Sequence, residues 1–91
     1  MLRIINCGLK TFQENIKGKK LFVWGGGNRA ETCYKEWEIR DNIAAIVDMN
    51  ENMWNKGWRM DGSILCINKE KLIAEIRAYG INHCALLITS V

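Results

Sequence analysis

Residues 21–30, Leu-Phe-Val-Trp-Gly-Gly-Gly-Asn-Arg-Ala, constrain the fold of this chain more than any other stretch. Leu21 to Trp24 are apolar without a break, the pattern of a strand buried on both faces. They lead directly into Gly25, Gly27 and Ala30, whose spacing fits G-x-G-x-x-G/A, and a helical pattern follows. Each position has a physical reason. Gly25 lets the chain turn tightly, and Gly27, with no side chain, lets backbone N–H groups come close to a pyrophosphate. Ala30 is small enough for the helix to pack on the strand. The positive end of that helix then faces the anion. Gly26, between Gly25 and Gly27, completes the turn as a binding candidate.

The next apolar run, Ile43-Ala44-Ala45-Ile46-Val47, ends in Asp48, which lies 23 residues after Gly25. An acid at that spacing, at the end of a second strand, is placed to accept hydrogen bonds from ribose hydroxyls. Strand, glycine turn, helix, strand and acid together predict a Rossmann-like βαβ unit. The plainer alternative is that the glycines only make a turn and Asp48 only caps a loop.

Local patterns extend this reading along the chain. Thr11-Phe12-Gln13-Glu14 is a capping box, so a short helix is expected from Thr11 to Gly18, with Leu9, Phe12 and Ile16 on one face. Leu2 to Asn6 carry no clear period and allow a short extended segment. The helix after the glycines is expected to run from Asn28 to about Asp41, burying Ala30, Cys33, Tyr34 and Trp37. Residues 49–62 have neither helical nor strand period, yet they carry Trp54 and Trp58 beside Asp48. These indoles either tuck against the sheet edge, stack on a base or sugar, or meet another protein segment. Ser63 to Ile67 read as a third strand. Asn68 can N-cap a helix to Tyr79, with Gly80 as a left-handed stop, and Cys84 to Thr89 read as a fourth strand.

Right-handed crossovers then predict an α/β chain with a small Rossmann-like three-layer fold, its parallel four-stranded sheet in order 3-2-1-4. Residues 1–18 form an N-terminal segment with a short helix, and residues 19–91 form the βαβ domain. The whole is a single domain and reads as a module of a larger protein. The fourth strand is an edge in this arrangement. Ala85 to Ile88 carry no charge, bulge or proline to discourage pairing. A second copy or the N-terminal segment would have to cover it, and a homo-oligomer that buries part of residues 84–91 is expected.

The chain has 91 residues, room for about four of the six strands of a full dinucleotide-binding fold. Its 13 basic and 10 acidic side chains are interleaved, giving +3 overall without the clustered basic footprint of a nucleic-acid binder. Cys7, Cys33, Cys66 and Cys84 form no C-x-x-C pair, and His83 has no partner at zinc spacing. Buried thiols are expected rather than a metal site or disulfide, and His83 reads as a loop histidine. No apolar run reaches the length of a membrane span, and the start is too short for a signal peptide, so a cytoplasmic chain is expected.

Taken in order, the chain shows the glycine turn, then "IVDMN", "WNKGWRMDG" before a short strand, an Asn-capped helix and "CALLITS". This order resembles the Rossmann-like nucleotide- or nucleotide-sugar-binding module of bacterial surface-polysaccharide biosynthesis enzymes, which is attached to sugar acetyltransferases, glycosyltransferases and methyltransferases. The similarity spans about residues 19–90. It implies that Gly25, Gly27 and Asn28 meet phosphate, that Asp48 meets ribose or uridine-type groups, and that Gly62 makes the turn before the third strand. Ala30 departs from the usual third glycine, and Trp58-Arg59-Met60 is bulkier than the usual segment. No catalytic histidine, lysine or carboxylate pair follows; in such relatives the chemistry lies in an appended domain.

The function this implies is a transferase-associated recognition module in glycoconjugate or polysaccharide biosynthesis. It would take a UDP-sugar and carry no complete catalytic machinery of its own, with Arg29, Trp54 and Trp58 lining the ligand. An NAD-binding oxidoreductase-type domain is the alternative, since Asp48 would repel the 2′-phosphate of NADP. A structural module with an empty crevice is a third. S-adenosylmethionine fits less well, because Arg29 stands where its turn usually has a last glycine.

Overall fold

In the computed structural model, residues 3–5, 16–36 and 40–89 are described. The capping box at Thr11–Glu14, together with Cys7, Leu9, Phe12 and Trp37, lies outside the described residues. Ile16 is described and is buried in the core.

The continuous apolar runs become strands with both faces covered. β2 (Lys20–Trp24) sends Leu21 and Val23 to one face and Phe22 to the other, and β3 (Ile43–Val47) splits Ile46 from Ala45 and Val47 in the same way. Between them, α1 (Asn28–Glu36) packs Ala30 and Cys33 against the face that carries Leu21, Val23 and Ile46. Its described residues end at Glu36, and a 3-10 turn at Arg40–Asn42 leads into β3. α2 (Lys69–Tyr79) covers the opposite face with Leu72 and Ile76, over Phe22, Val47 and Leu86. The Asn68 side chain accepts from the Lys71 N–H at 2.8 Å, a direct N-cap. Gly80 stops the helix at φ 92° and ψ 135°, a conformation open to glycine, although not the left-handed helical one.

The predicted four-stranded parallel sheet is corrected in two places. Among the described residues the sheet has six strands, with β1 (Arg3–Ile5), β4 (Gly57–Trp58), β5 (Asp61–Ile67) and β6 (Cys84–Ile88) joining β2 and β3 in the order β1-β6-β2-β3-β5-β4, and it is mixed. The first addition is β1 (Arg3–Ile5), which pairs parallel with β6 (Cys84–Ile88) through Arg3↔Ala85, Ile4↔Leu86 and Ile5↔Leu87. β6 is therefore an interior strand between β1 and β2. Its bare Ala85-Leu86-Leu87-Ile88 run fits that position, where nothing needs to discourage pairing. The expectation that β6 is an edge falls, and with it the reason given for a second copy.

The second addition comes from the tryptophan-rich stretch. β4 (Gly57–Trp58) runs antiparallel to β5 (Asp61–Ile67), with Trp58 opposite Asp61 and only Arg59-Met60 between them. A two-residue connection can join only antiparallel strands, so the order of residues here forces a mixed sheet. Among the described residues, no helix is long and apolar enough to cross a membrane.

Cys33, Cys66 and Cys84 are buried thiols. The Cys66 thiol is pushed up from the ordinary 9.0 by burial and, second, by the Asp48 charge. Burial also raises Cys84, outweighing the pull of Lys20 and Lys19. Both thiols are thus held neutral by the fold, and the stability this gives is fully present below 9.0. It is lost as pH rises from there through the folded-state values, by at most about 1.4 kcal/mol per pH unit for each thiol. Urea midpoints are expected to fall more steeply with pH above 9.0 in the wild type than in Cys66→Ala. Parallel profiles would show that Cys66 ionises freely in the native state.

Candidate functional site

The carboxyl ends of β2, β3 and β5 converge on the glycine turn. Gly25 leaves β2 at φ 104°, a backbone that disfavours any side chain, and its N–H donates to the Val47 carbonyl at 2.8 Å. The Gly27 carbonyl accepts from the Glu31 N–H at 3.1 Å, so Gly27 is the N-cap of α1. Thr89, just past β6, is buried, and its hydroxyl lies 2.9 Å from both the Trp24 and Gly25 carbonyl oxygens. It shares one proton between two acceptors that the tight turn exposes. Nothing local marked Thr89, because its partners lie more than 60 residues earlier.

The two remaining glycines divide the work differently from the motif's usual roles. A Cβ on Gly26 would sit 3.2 Å from Ile46 Cγ2 and 3.3 Å from both Asp48 Oδ2 and Trp58 Nε1. Gly26 is therefore the more tightly surrounded of the two. A Cβ on Gly27 would meet nothing within 4 Å, so the space above that residue is open.

Asp48 does two things. Its backbone N–H donates to the Ile67 carbonyl at 3.1 Å, and its Oδ1 accepts from the Asn50 N–H at 2.9 Å, closing the loop after β3. Its Oδ2 is turned toward Gly26. Asn50 in turn caps the 3-10 turn Glu51–Met53 by accepting from Asn52 N–H.

Both indoles of the following segment are tied down. Trp54 Nε1 donates to the Asp48 carbonyl at 2.6 Å, and Trp58 Nε1 donates to the Gly26 carbonyl at 3.1 Å. Trp58 is 2% exposed, with the Tyr34 ring set edge-on at 5.4 Å. Tyr34 reaches past it to donate to Asp61 Oδ2 at 3.0 Å, which joins α1 to the β4–β5 hairpin. Of the three readings of this segment, packing against the sheet describes Trp58.

Together these residues enclose a cleft of about 290 Å³ lined by Gly26, Gly27, Asp48, Asn50, Met53, Trp58 and Arg59. Of the residues singled out from sequence, Gly26, Gly27, Asp48 and Trp58 meet here. Gly25 supports the turn from behind, and Trp54 holds Asp48 without lining the cleft. Asn28 and Arg29 begin α1, with their side chains outside the described residues. Asn50, Met53 and Arg59 were missed. Only the Asn before Glu51-Asn52-Met53, a capping residue, left a local signal. Arg59 forms an ion pair with Glu31 in the first turn of α1.

The cleft offers open backbone at a helix start, a carboxylate and a guanidinium, which suits binding and orientation of a polar ligand. His83 is exposed and precedes β6, away from these strand ends. Among the described residues, no three His, Cys, Asp or Glu side chains gather to hold a metal. A second hollow of about 190 Å³ lies between α2 and the sheet over Phe22, Ala45 and Ile67. Its Lys20 rests on the Tyr79 ring at 3.9 Å, and its Lys71 pairs with Glu75 at 3.5 Å. Comparison with protein-family models, curated proteins and solved structures yields no match to this chain.

Proposed function

We propose that the glycine cleft binds a nucleotide-type ligand, with phosphate at Gly26–Gly27 and the start of α1, and ribose on Asp48. The observation that carries this is the open space above Gly27 in a cleft that also presents Asp48. A glycine whose side-chain direction is open, at the positive end of a helix, suits an anion. A neighbouring carboxylate suits hydroxyls. At about 290 Å³ the cleft is at the small end of ligand pockets, which run from about 300 to 1,000 Å³. That size favours one nucleotide over a dinucleotide, hence a uridine-diphosphate-type ligand over NAD. The role in glycoconjugate biosynthesis draws on the sequence resemblance, and recognition rather than catalysis suits the cleft's chemistry.

Gly27→Val tests the proposal. Its backbone is not in the positive-φ region, and its Cβ direction is empty, so the fold accepts the side chain. A stability loss of no more than about 1 kcal/mol is expected, the range for a weakened N-cap. The valine would occupy the phosphate's space, so a fluorescence titration with UDP should show saturable binding to the wild type and none to the variant. Equal affinity for both would place any ligand elsewhere.

A further inference from the structure

We infer that Arg59 and Glu31 form a latch over the glycine cleft: Arg59 takes the ligand's phosphate, and Glu31 is the counter-ion it leaves to do so. The inference rests on the nucleotide reading of the same cleft and names its anion-binding side chain.

Arg59 occupies the two-residue turn between β4 and β5 and lines the cleft together with Gly26 and Gly27. Of the described residues lining the cleft, it is the one cation. Its partner Glu31 sits in the first turn of α1, and its N–H donates to the Gly27 carbonyl at 3.1 Å. Its carboxylate pairs the guanidinium that a phosphate at Gly26–Gly27 would also reach. Two anions would then compete for one guanidinium.

The mechanical frame allows the exchange. The hairpin is anchored to α1 independently of this pair, through Tyr34 against Trp58 and the Tyr34–Asp61 hydrogen bond. The Arg59 side chain is 55% exposed and that of Glu31 is 21% exposed, so the arginine is the partner with more room to move.

The magnitudes favour the ligand. An exposed ion pair holds its partner back by at most about fivefold. A charge-assisted hydrogen bond to phosphate returns about 10- to 150-fold, and a diphosphate offers a guanidinium several acceptors where a carboxylate offers two.

UDP titrations of the wild type, Glu31→Gln, Arg59→Met and the double variant test the latch, with a thermal melt of each to confirm folding. Glu31→Gln should bind up to about fivefold more tightly, since the competing charge is gone. Arg59→Met should bind at least about tenfold more weakly. In the Arg59→Met background, Glu31→Gln should bring no gain. This last comparison separates a latch from simple removal of negative charge near an anion. Wild-type binding with no gain in Glu31→Gln, or the same gain with Arg59 absent, would overturn the latch and leave the nucleotide site standing. If none of the four proteins binds UDP, the nucleotide reading fails and the latch falls with it.

Discussion

Trp58→Ala is expected to lose about 3–5 kcal/mol of folding stability, the range for deleting a buried large aromatic side chain. Small domains hold only about 5–15 kcal/mol in total, so this variant should be largely unfolded in mild denaturant. The size follows from three roles held by one side chain. Trp58 is 2% exposed within the core formed by Leu21, Val23, Ala30, Ile46 and Leu87. It supports the Tyr34 ring edge-on at 5.4 Å, and its N–H meets the Gly26 carbonyl at 3.1 Å. Trp58→Phe separates these, because it keeps most of the ring and removes the N–H donor. It should lose about 1–3 kcal/mol, the penalty for leaving a buried polar group without that partner together with some lost packing. Urea unfolding of both variants measures the difference. Near-wild-type stability for Trp58→Ala would mean that the hairpin contributes little to the core.

Gly57→Ala is expected to be nearly as damaging, for a different reason. A Cβ at Gly57 would stand 2.6 Å from the Gly62 carbonyl oxygen and 2.9 Å from its Cα. Both obstacles are backbone, so no rotamer change relieves them, and the hairpin must open. A loss of about 3 kcal/mol is expected, the upper part of the range for overpacking. Gly62→Ala is the control, since a Cβ there meets nothing within 4 Å. Thermal melts should show a large fall for Gly57→Ala and little change for Gly62→Ala. Equal melting temperatures for the two variants would contradict the close approach of β4 and β5 at this point.

Where a signal is local, the sequence carries the structure well. The apolar runs at Leu21–Trp24 and Ile43–Val47 are strands, Asn68 caps its helix, and Gly25 takes the positive φ its place in the motif requires. Neither addition to the sheet has a periodic signal, although Leu2 to Asn6 allow a short extended segment that could cover the fourth strand. A two-residue strand such as Gly57–Trp58 is too short for an alternating period to be seen. The β1–β6 pairing joins residues about 80 positions apart, such as Arg3 and Ala85, through backbone groups that every residue possesses.

The site divides along the same line. Asp48 was legible because strand ends and their spacing are regular features. The crowding at Gly26 arises from Ile46, Asp48 and Trp58, which come together only after folding. The pairing of Glu31 with Arg59 likewise spans 28 residues and two elements. Trp54 and Trp58 were ambiguous for a physical reason: an indole in a polar loop serves equally as a ligand platform or a core residue until its N–H partner is known.

Titration of the nitrogen-15-labelled chain with UDP, followed by amide chemical shifts, reads the cleft residue by residue. Saturable shifts are expected at Gly26, Gly27, Glu31 and Asp48, with the amides of Leu72 and Ile76 on the far face unmoved. An absence of shifts at saturating UDP would contradict nucleotide binding in the cleft, as would shifts confined to the hollow between Lys20, Lys71 and α2.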